Sequence, residues 1–453
     1  MQEMPSVSPA RAAAFDILIR VERESSYASE LLHSSAQESL SASDHALATQ
    51  LVMGVLRWRS TLDEQIAASS SQSVKKLDLE ILIALRLAVY QFFWLDRIPR
   101  RAALYESVEL VKRARKRSAA PFVNAVLRRI EKQRHDPTGA AADSTEQLVV
   151  AKSHPRWLLE RWVNEYGFET TSGICDYDQK IPSTVLRLRN AEADYRLAET
   201  GIRVRPGMLL SSARRIESGD IAKLGALLNA SVVIQDEASQ LVAAVAARGC
   251  GECILDCCAA PGGKTLAMAD QSPSSAITAV ETHVHRARLM RGLINAKSAG
   301  ASASIRVVAA DARHLPFTRD FDRVLADVPC SGTGTLARNP EIKWRLQPSD
   351  LADLHQRQVE ILKSALGQVA PQGRVIYSTC SLEREENEDV VEEVLRDKKE
   401  FRLLDLAPEL AQLNVEGKLV WPDPSSLTRG PYLRTIPGVH PCDGFFSAIV
   451  ERI

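Results

Sequence analysis

Two short runs late in the chain hold residue types that could carry out a difficult alkylation. Asp327-Val328-Pro329-Cys330-Ser331-Gly332-Thr333-Gly334 and Tyr377-Ser378-Thr379-Cys380-Ser381 each set a cysteine in a polar loop flanked by Gly or Ser. A single buried cysteine is usually a small apolar filler. Two in such loops, one of them three residues after an acid, form a specific pattern. The chemistry it suits is substitution at carbon 5 of a cytosine, which is a poor nucleophile. A thiolate adding to carbon 6 turns the ring into an enamine, and carbon 5 then attacks a methyl group. Asp327, kept near the ring's N3, can hydrogen-bond or protonate it and so neutralise the charge that addition creates. A second thiol can assist removal of the carbon 5 proton and release of the enzyme.

Such a reaction needs a methyl donor, and three earlier loops suit an adenosine-linked one. After the apolar run Cys253-Ile254-Leu255 comes Asp256-Cys257-Cys258-Ala259-Ala260-Pro261-Gly262-Gly263-Lys264-Thr265. The two glycines let the backbone approach a ligand, and the helix that follows offers its N-terminus and Lys264 to an anion. A nucleotide triphosphate loop would need Gly at 258, where Cys258 stands, so that reading fails on spacing. Glu281 lies eighteen residues after Gly263, placed to hold the hydroxyls of an adenosyl ribose. Asp311, followed by Ala312-Arg313, suits an acceptor near the adenine amine. S-adenosylmethionine would satisfy all three loops.

These loops require a sheet to present them. Short apolar runs at 253–255, 276–280, 305–308, 323–326 and 374–377 alternate with helical stretches, the rhythm of an α/β domain with a largely parallel sheet. In such sheets ligands bind beyond the carboxyl ends of the strands. Upstream, the chain changes character. From Pro9 to Gln133 apolar residues recur at three- and four-residue spacing, as in Ile81-Leu82-Leu85-Leu87-Val89-Tyr90, which predicts a compact all-helical domain. Twelve basic residues crowd positions 97 to 134 (Arg97, Arg100, Arg101, Lys112, Arg113, Arg115, Lys116, Arg117, Arg128, Arg129, Lys132, Arg134), opposed locally by Glu106, Glu109 and Glu131. Solvated helix faces and a surface for a polyanion such as RNA both fit that run. From His135 to Gln147 the composition turns to Pro, Thr, Gly, Ala, Asp and Ser, which reads as a linker, and a small α+β unit follows with a helix bearing Trp157, Leu158 and Trp162 and a strand at Thr184–Leu188. The tryptophans read as core. The expected division is 1–140, 141–233 and 234–453.

Composition narrows the class. The 453 residues are 45% hydrophobic and 25% charged, and Lys+Arg equal Asp+Glu at 57 each, so any nucleic-acid surface is a local patch. The longest apolar stretch, Ile81 to Leu95, is interrupted by Arg86 and is too short to span a bilayer; no membrane role is expected. Neither a secretory signal nor a disulfide framework is apparent, which suits a cytoplasmic protein. Cys250-Gly251-Glu252-Cys253 has metal or redox spacing without a second pair, so no metal is expected. Cys257, Cys258, Cys175 and Cys442 taken alone read as fillers, and a monomer is expected.

The residues quoted above resemble the Sun (also called Fmu or RsmB) family of RNA cytosine-5 methyltransferases. The likeness is strong over Cys253 to Thr265, Asp327 to Arg345 and Tyr377 to Val391, and extends to Gln235-Asp236-Glu237-Ala238-Ser239 and Asp443-Gly444-Phe445-Phe446. The helical first part, with Phe122-Val123-Asn124-Ala125-Val126-Leu127-Arg128, is similar to the NusB-type RNA-binding domain of one branch of that family. The resemblance implies a class I, Rossmann-like methyltransferase domain, S-adenosylmethionine as cofactor, and small-subunit ribosomal RNA as substrate. It implies that Cys258, Ala259, Ala260, Pro261, Gly262, Gly263, Lys264, Glu281, Asp311 and Asp327 contact the cofactor. It makes Cys380 the nucleophile and Cys330 the residue needed for release, although DNA cytosine methyltransferases attack with the Pro-Cys cysteine. Glu281, Val328 and Arg384 depart from the commoner Asp, Ala and Pro. Lys343-Trp344-Arg345 is expected to line the entrance to the site, with packing an equal reading for Trp344. Transfer RNA as substrate and a catalytically silent RNA-assembly factor are the competing readings.

Overall fold

The computed structural model describes residues 7–24, 26–34, 40–132, 144–228, 230–249, 251–295, 304–318 and 320–453. Contacts group the chain into two compact units, Met1–Ile181 with Leu336–Arg345, and Pro182–Thr335 with Leu346–Ile453. Most of the expected linker, together with Arg134 and Cys250, lies outside the described residues.

The first unit is helical among its described residues, as the periodicity requires. Helix Pro9–Glu24 buries Ala14, Phe15, Ile17, Leu18 and Val21. Helix Ala42–Arg57 starts where the Ser41 side chain accepts from the Asp44 amide. The apolar run becomes helix Leu79–Trp94, buried on almost every side, which is why its sequence shows little polar face. Its Arg86 is held there by Asp63 at 2.7 Å. Helix Ala120–Lys132 is sharply two-faced: Val123, Val126, Leu127 and Ile130 are buried, while Arg128, Arg129 and Lys132 are exposed.

The basic stretch is partly neutralised by acids distant in sequence. Asp16 pairs with Arg113 at 2.7 Å and Asp78 with Lys116 at 2.8 Å, so local counting overstates the uncompensated charge. Arg97, Arg101, Arg115, Arg117 and Lys132 stay exposed. The unit also takes in the helix Arg156–Tyr166, whose Trp162 is buried as expected of a core residue.

The segment Leu336–Arg345 corrects one expectation. Lys343 does not line an entrance; it is 1% exposed and donates to the carbonyl oxygens of Arg57 and Ser153, each at 2.9 Å. Burial pushes its pKa down to about 7. Trp344 donates its indole N–H to the Leu56 carbonyl at 2.6 Å. The segment is thus internal structure of the helical unit.

In the second unit, β1 (Val185–Leu188), β2 (Arg203–Pro206), β3 (Ala213–Ser218) and β4 (Val232–Ile234) form an antiparallel sheet in the order β2-β3-β1-β4. The larger sheet contains β5 (Cys253–Asp256), β6 (Ala276–Glu281), β7 (Ser304–Ala309), β8 (Phe321–Asp327), β9 (Val369–Thr379), β10 (Phe401–Leu404), β11 (Thr428–Arg429), β12 (Tyr432–Thr435) and β13 (Phe445–Arg452). Its order is β11-β12-β13-β9-β8-β5-β6-β7, with β10 on β13. From β7 through β9 all pairs are parallel, and β13 runs antiparallel to β9. Successive strands go one way from β5 to β7 and the other way from β8 to β9. The order therefore reverses at β5 and β8, the place where such sheets open a crevice. All five apolar runs read as strands in the sequence are parallel strands here.

Candidate active site

The loops after β5, β6, β7, β8 and β9 carry the residues singled out above, and the parallel pairing puts all five at one edge of the sheet. The loop after β5 turns into helix Gly263–Gln271 through Gly262, whose φ of 107° lies in the left-handed region that a side chain disfavours. Asp256 ends β5 and is buried, its Oδ2 accepting from the Thr265 hydroxyl at 2.7 Å. Cys257 packs in the core and Cys258 is half-buried against it; burial raises both thiols. Glu281 ends β6, is buried, and accepts from the His283 amide at 2.8 Å. Asp311 follows β7, accepts from the Arg313 amide and is bridged by the Arg313 guanidinium, which holds its carboxyl below the usual range.

Burial pushes Asp256 the other way, to about 7, against the hydrogen bond from Thr265. Between about pH 4 and 7 the folded chain therefore keeps a proton that the unfolded chain has lost, and stability falls as pH rises through that window. The cost above pH 7 is on the order of 4 kcal/mol. Thermal melts at pH 5 and pH 8 should show a larger drop for the native protein than for Asp256→Asn. Equal drops would remove Asp256 as the cause.

Asp327 ends β8 and is held from two sides. Lys264 donates to its Oδ2 at 2.7 Å and Ser378 to its Oδ1 at 2.7 Å. The Lys264 ammonium also lies 5.0 Å from the Phe445 ring centroid. Burial disfavours that cation, but Asp327, with help from Cys380 and Asp256, outweighs burial and raises its pKa.

The two late cysteines meet: Cys330 Sγ and Cys380 Sγ are 3.3 Å apart. The backbone zips their loops together, with the Val328 amide donating to Ser378 O at 3.0 Å and the Gly334 amide to Cys380 O at 2.9 Å. Gly334 is required by close approach, since a Cβ there would sit 2.2 Å from the Gly444 carbonyl oxygen. The Cys330 thiol is driven up by its hydrogen bond with Cys380, by burial, and by the charges of Cys380 and Glu386. It stays protonated at neutral pH.

Thus the structure brings Lys264, Asp327, Cys330 and Cys380 into mutual reach, and leaves Glu281 and Asp311 at the neighbouring strand ends. Ser378, Glu386 and Gln358 were not singled out from the sequence. Ser378 sits two residues before Cys380, so proximity could have found it. Glu386 lies in Arg384-Glu385-Glu386-Asn387-Glu388, where nothing local separates it from the other acids of the run. Among the described residues no cluster of three or more metal-binding side chains occurs, and no helix is long and apolar enough to cross a membrane.

Comparison with known proteins agrees with this geometry. Residues 244–451 match the family described as 16S rRNA methyltransferase RsmB/F, and residues 8–132 match the NusB family. A Bacillus subtilis (strain 168) protein named "Probable ribosomal RNA small subunit methyltransferase B" is 33% identical, covering 98% of either chain. The crystal structure of PH0851 superposes with a TM-score of 0.79 at 24% identity, covering 99% of this chain and 100% of that one. That of NSun6 from Pyrococcus horikoshii with SFG gives 0.55 at 18% identity, over 66% of this chain and 98% of that one. The last two show likeness of fold. An all-helical NusB-like part followed by a Rossmann-like methyltransferase sheet is the architecture expected from the sequence.

Proposed function

The chain belongs to the RsmB/F family of ribosomal RNA methyltransferases, and from that premise we propose that it methylates carbon 5 of one cytidine in small-subunit (16S) ribosomal RNA through a covalent Cys380–cytosine intermediate. The observation that carries the reading is the 3.3 Å contact between the two thiols, on loops whose first residues clasp Asp327.

S-adenosylmethionine, the proposed cofactor, supplies a methyl group on a positively charged sulfur. The strand ends fit it by chemistry. The stretch Cys258 to Lys264 offers a glycine-lined turn, and Glu281 offers a carboxylate for ribose hydroxyls. Asp311 has accepting capacity beyond its Arg313 bridge, and Asp327 adds negative charge beside them.

The chain's own residues divide the chemistry. We assign the attack on carbon 6 to Cys380 as the thiolate; the hydrogen bond with Cys380 and burial raise the Cys330 thiol. Asp327, positioned by Lys264 and Ser378, meets N3 and in its acid form gives it a proton, neutralising the charge that attack creates. As the bond at carbon 6 breaks, Cys330, in contact with the Cys380 sulfur, passes its thiol proton to that sulfur and takes the one lost from carbon 5. The target base must leave its stack, at a cost of a few kcal/mol. We assign the exposed arginines of the helical unit to gripping flanking phosphates, and keep 1–140, 141–233 and 234–453 as the modules of this reading.

Bisulfite mapping of total RNA from cells with and without the gene tests it. Loss of one 5-methylcytosine from small-subunit ribosomal RNA is the expected result. Loss confined to transfer RNA would replace the substrate, and no change at any cytosine would favour a silent assembly factor.

A further inference from the structure

The site depends on where the two sulfurs stand, and one carboxylate outside the reacting set governs the position of Cys330. Glu386 is fully buried. Its Oε1 accepts from the Ser331 amide at 2.8 Å and from Gln358 Nε2 at 2.9 Å. Its Oε2 accepts from the hydroxyls of Ser331 and Ser381, the latter at 2.5 Å. Gln358 Nε2 also donates to the Pro329 carbonyl at 3.0 Å. Both chain neighbours of Cys330, Pro329 and Ser331, are therefore tied to this one carboxylate, directly or through Gln358. Ser381, the residue after Cys380, is tied to it as well.

We propose that Glu386 is a positioning residue for methyl transfer: a buried, acceptor-only carboxylate that locks the Cys330 loop to the Cys380 loop so that their sulfurs meet. This rests on the reading of Cys380 as nucleophile and Cys330 as its release partner. The backbone bonds between the loops fix Val328, Gly334 and the Cys380 carbonyl, but none reaches Cys330 or its two neighbours. Without Glu386, Ser331 would keep only the hydroxyl contacts with Ser381 at 3.0 Å and Thr333 at 3.4 Å and lose the bond on its amide, and Gln358, which holds Pro329, would lose its carboxylate anchor. Glu386 has a second effect of the same sign. Its charge adds to the influences that keep Cys330 a thiol, so the brace also favours Cys380 as the attacking sulfur.

A carboxylate that merely filled space would be replaceable by its neutral isostere. Gln can keep its oxygen on the Ser331 amide and Gln358, but its NH₂ then makes the Ser331 and Ser381 hydroxyls accept, and the charge-assisted bonds are lost, so Glu386→Gln should weaken the brace and Glu386→Ala should abolish it. The test compares these variants with Gln358→Met and Cys380→Ala in the full-length protein. One readout is steady-state methylation of a small-subunit ribosomal RNA transcript, which turns over only when the enzyme is released. Another is the rate at which diamide joins Cys330 to Cys380. In that oxidation each thiol gives up a proton and an electron, an S–S bond forms, and the diazene takes both hydrogens to become a hydrazine. Titration with S-adenosylmethionine monitors folding.

We expect Glu386→Ala to lower kcat about 100-fold, the size of loss that a misplacement of about 1 Å brings. RNA KM and cofactor affinity should stay within about twofold of native, and diamide should close the disulfide about tenfold more slowly as the sulfurs meet less often. Native kcat and native oxidation rate in Glu386→Ala would overturn the proposal. If that variant loses cofactor binding altogether, Glu386→Gln and Gln358→Met decide: a fall in kcat and in oxidation rate with affinity kept supports the brace, and native values in both overturn it. A fully active Cys380→Ala would instead sink the nucleophile assignment, while the oxidation rates would still report on Glu386.

Discussion

Cys380→Ala should lose methyl transfer by on the order of 10⁴-fold or more, whereas Cys330→Ala should hold RNA in a complex that survives denaturation. The first value follows from removing a nucleophile whose partners act with it as a unit. Without the sulfur no bond forms at carbon 6, carbon 5 stays unreactive, and the remaining site only binds. The second result follows from what is left when the release partner goes. Cys380 still adds to carbon 6 and carbon 5 still takes the methyl group, but elimination loses the group in contact with the sulfur at 3.3 Å. Denaturing gels of each variant with a labelled small-subunit ribosomal RNA transcript read both outcomes. If the roles are exchanged, as in DNA cytosine methyltransferases, the adduct will appear in the Cys380 variant.

The ends of the chemistry were legible from the sequence because they are short and local. Asp327 and Cys330 fall on one loop and Cys380 on the next, and strand ends in a parallel sheet point to the same edge. The five strands were legible for the same reason: each is a brief β-branched run between helices. What escaped was decided by contacts between distant residues. Lys343, a cation in a polar stretch, looks like surface until Arg57 and Ser153 supply carbonyls for it. Asp16 and Asp78 neutralise Arg113 and Lys116 from elements that no local count includes. Glu386 stands in an acidic run, and only the fold brings Ser331, Ser381 and Gln358 to it. A buried polar group becomes recognisable through its partners, and the partners are not its neighbours in sequence.

Asp327→Asn and Lys264→Met should each slow single-turnover methyl transfer by roughly 10²–10³-fold, and the double variant should be little worse than the slower single one. The two side chains are one device: the 2.7 Å bond to Oδ2 fixes the rotamer of Asp327 while Ser378 takes the other oxygen. Asparagine keeps the shape but has no acidic proton to give to N3 as that atom develops negative charge. Methionine leaves the carboxylate in place without the cation that orients it, and Phe445 loses the ammonium beside its ring. Because either change disables the same unit, the effects should not add, and a coupling free energy of about 3–4 kcal/mol, close to the cost of either single change, is expected from the cycle. Rates must be taken at saturating cofactor, since Lys264 also belongs to the cofactor loop. Should Lys264→Met keep its rate and lose only affinity for S-adenosylmethionine, Lys264 serves the cofactor alone. Asp327 would then owe its position to Ser378, and Ser378→Ala should carry the loss in its place.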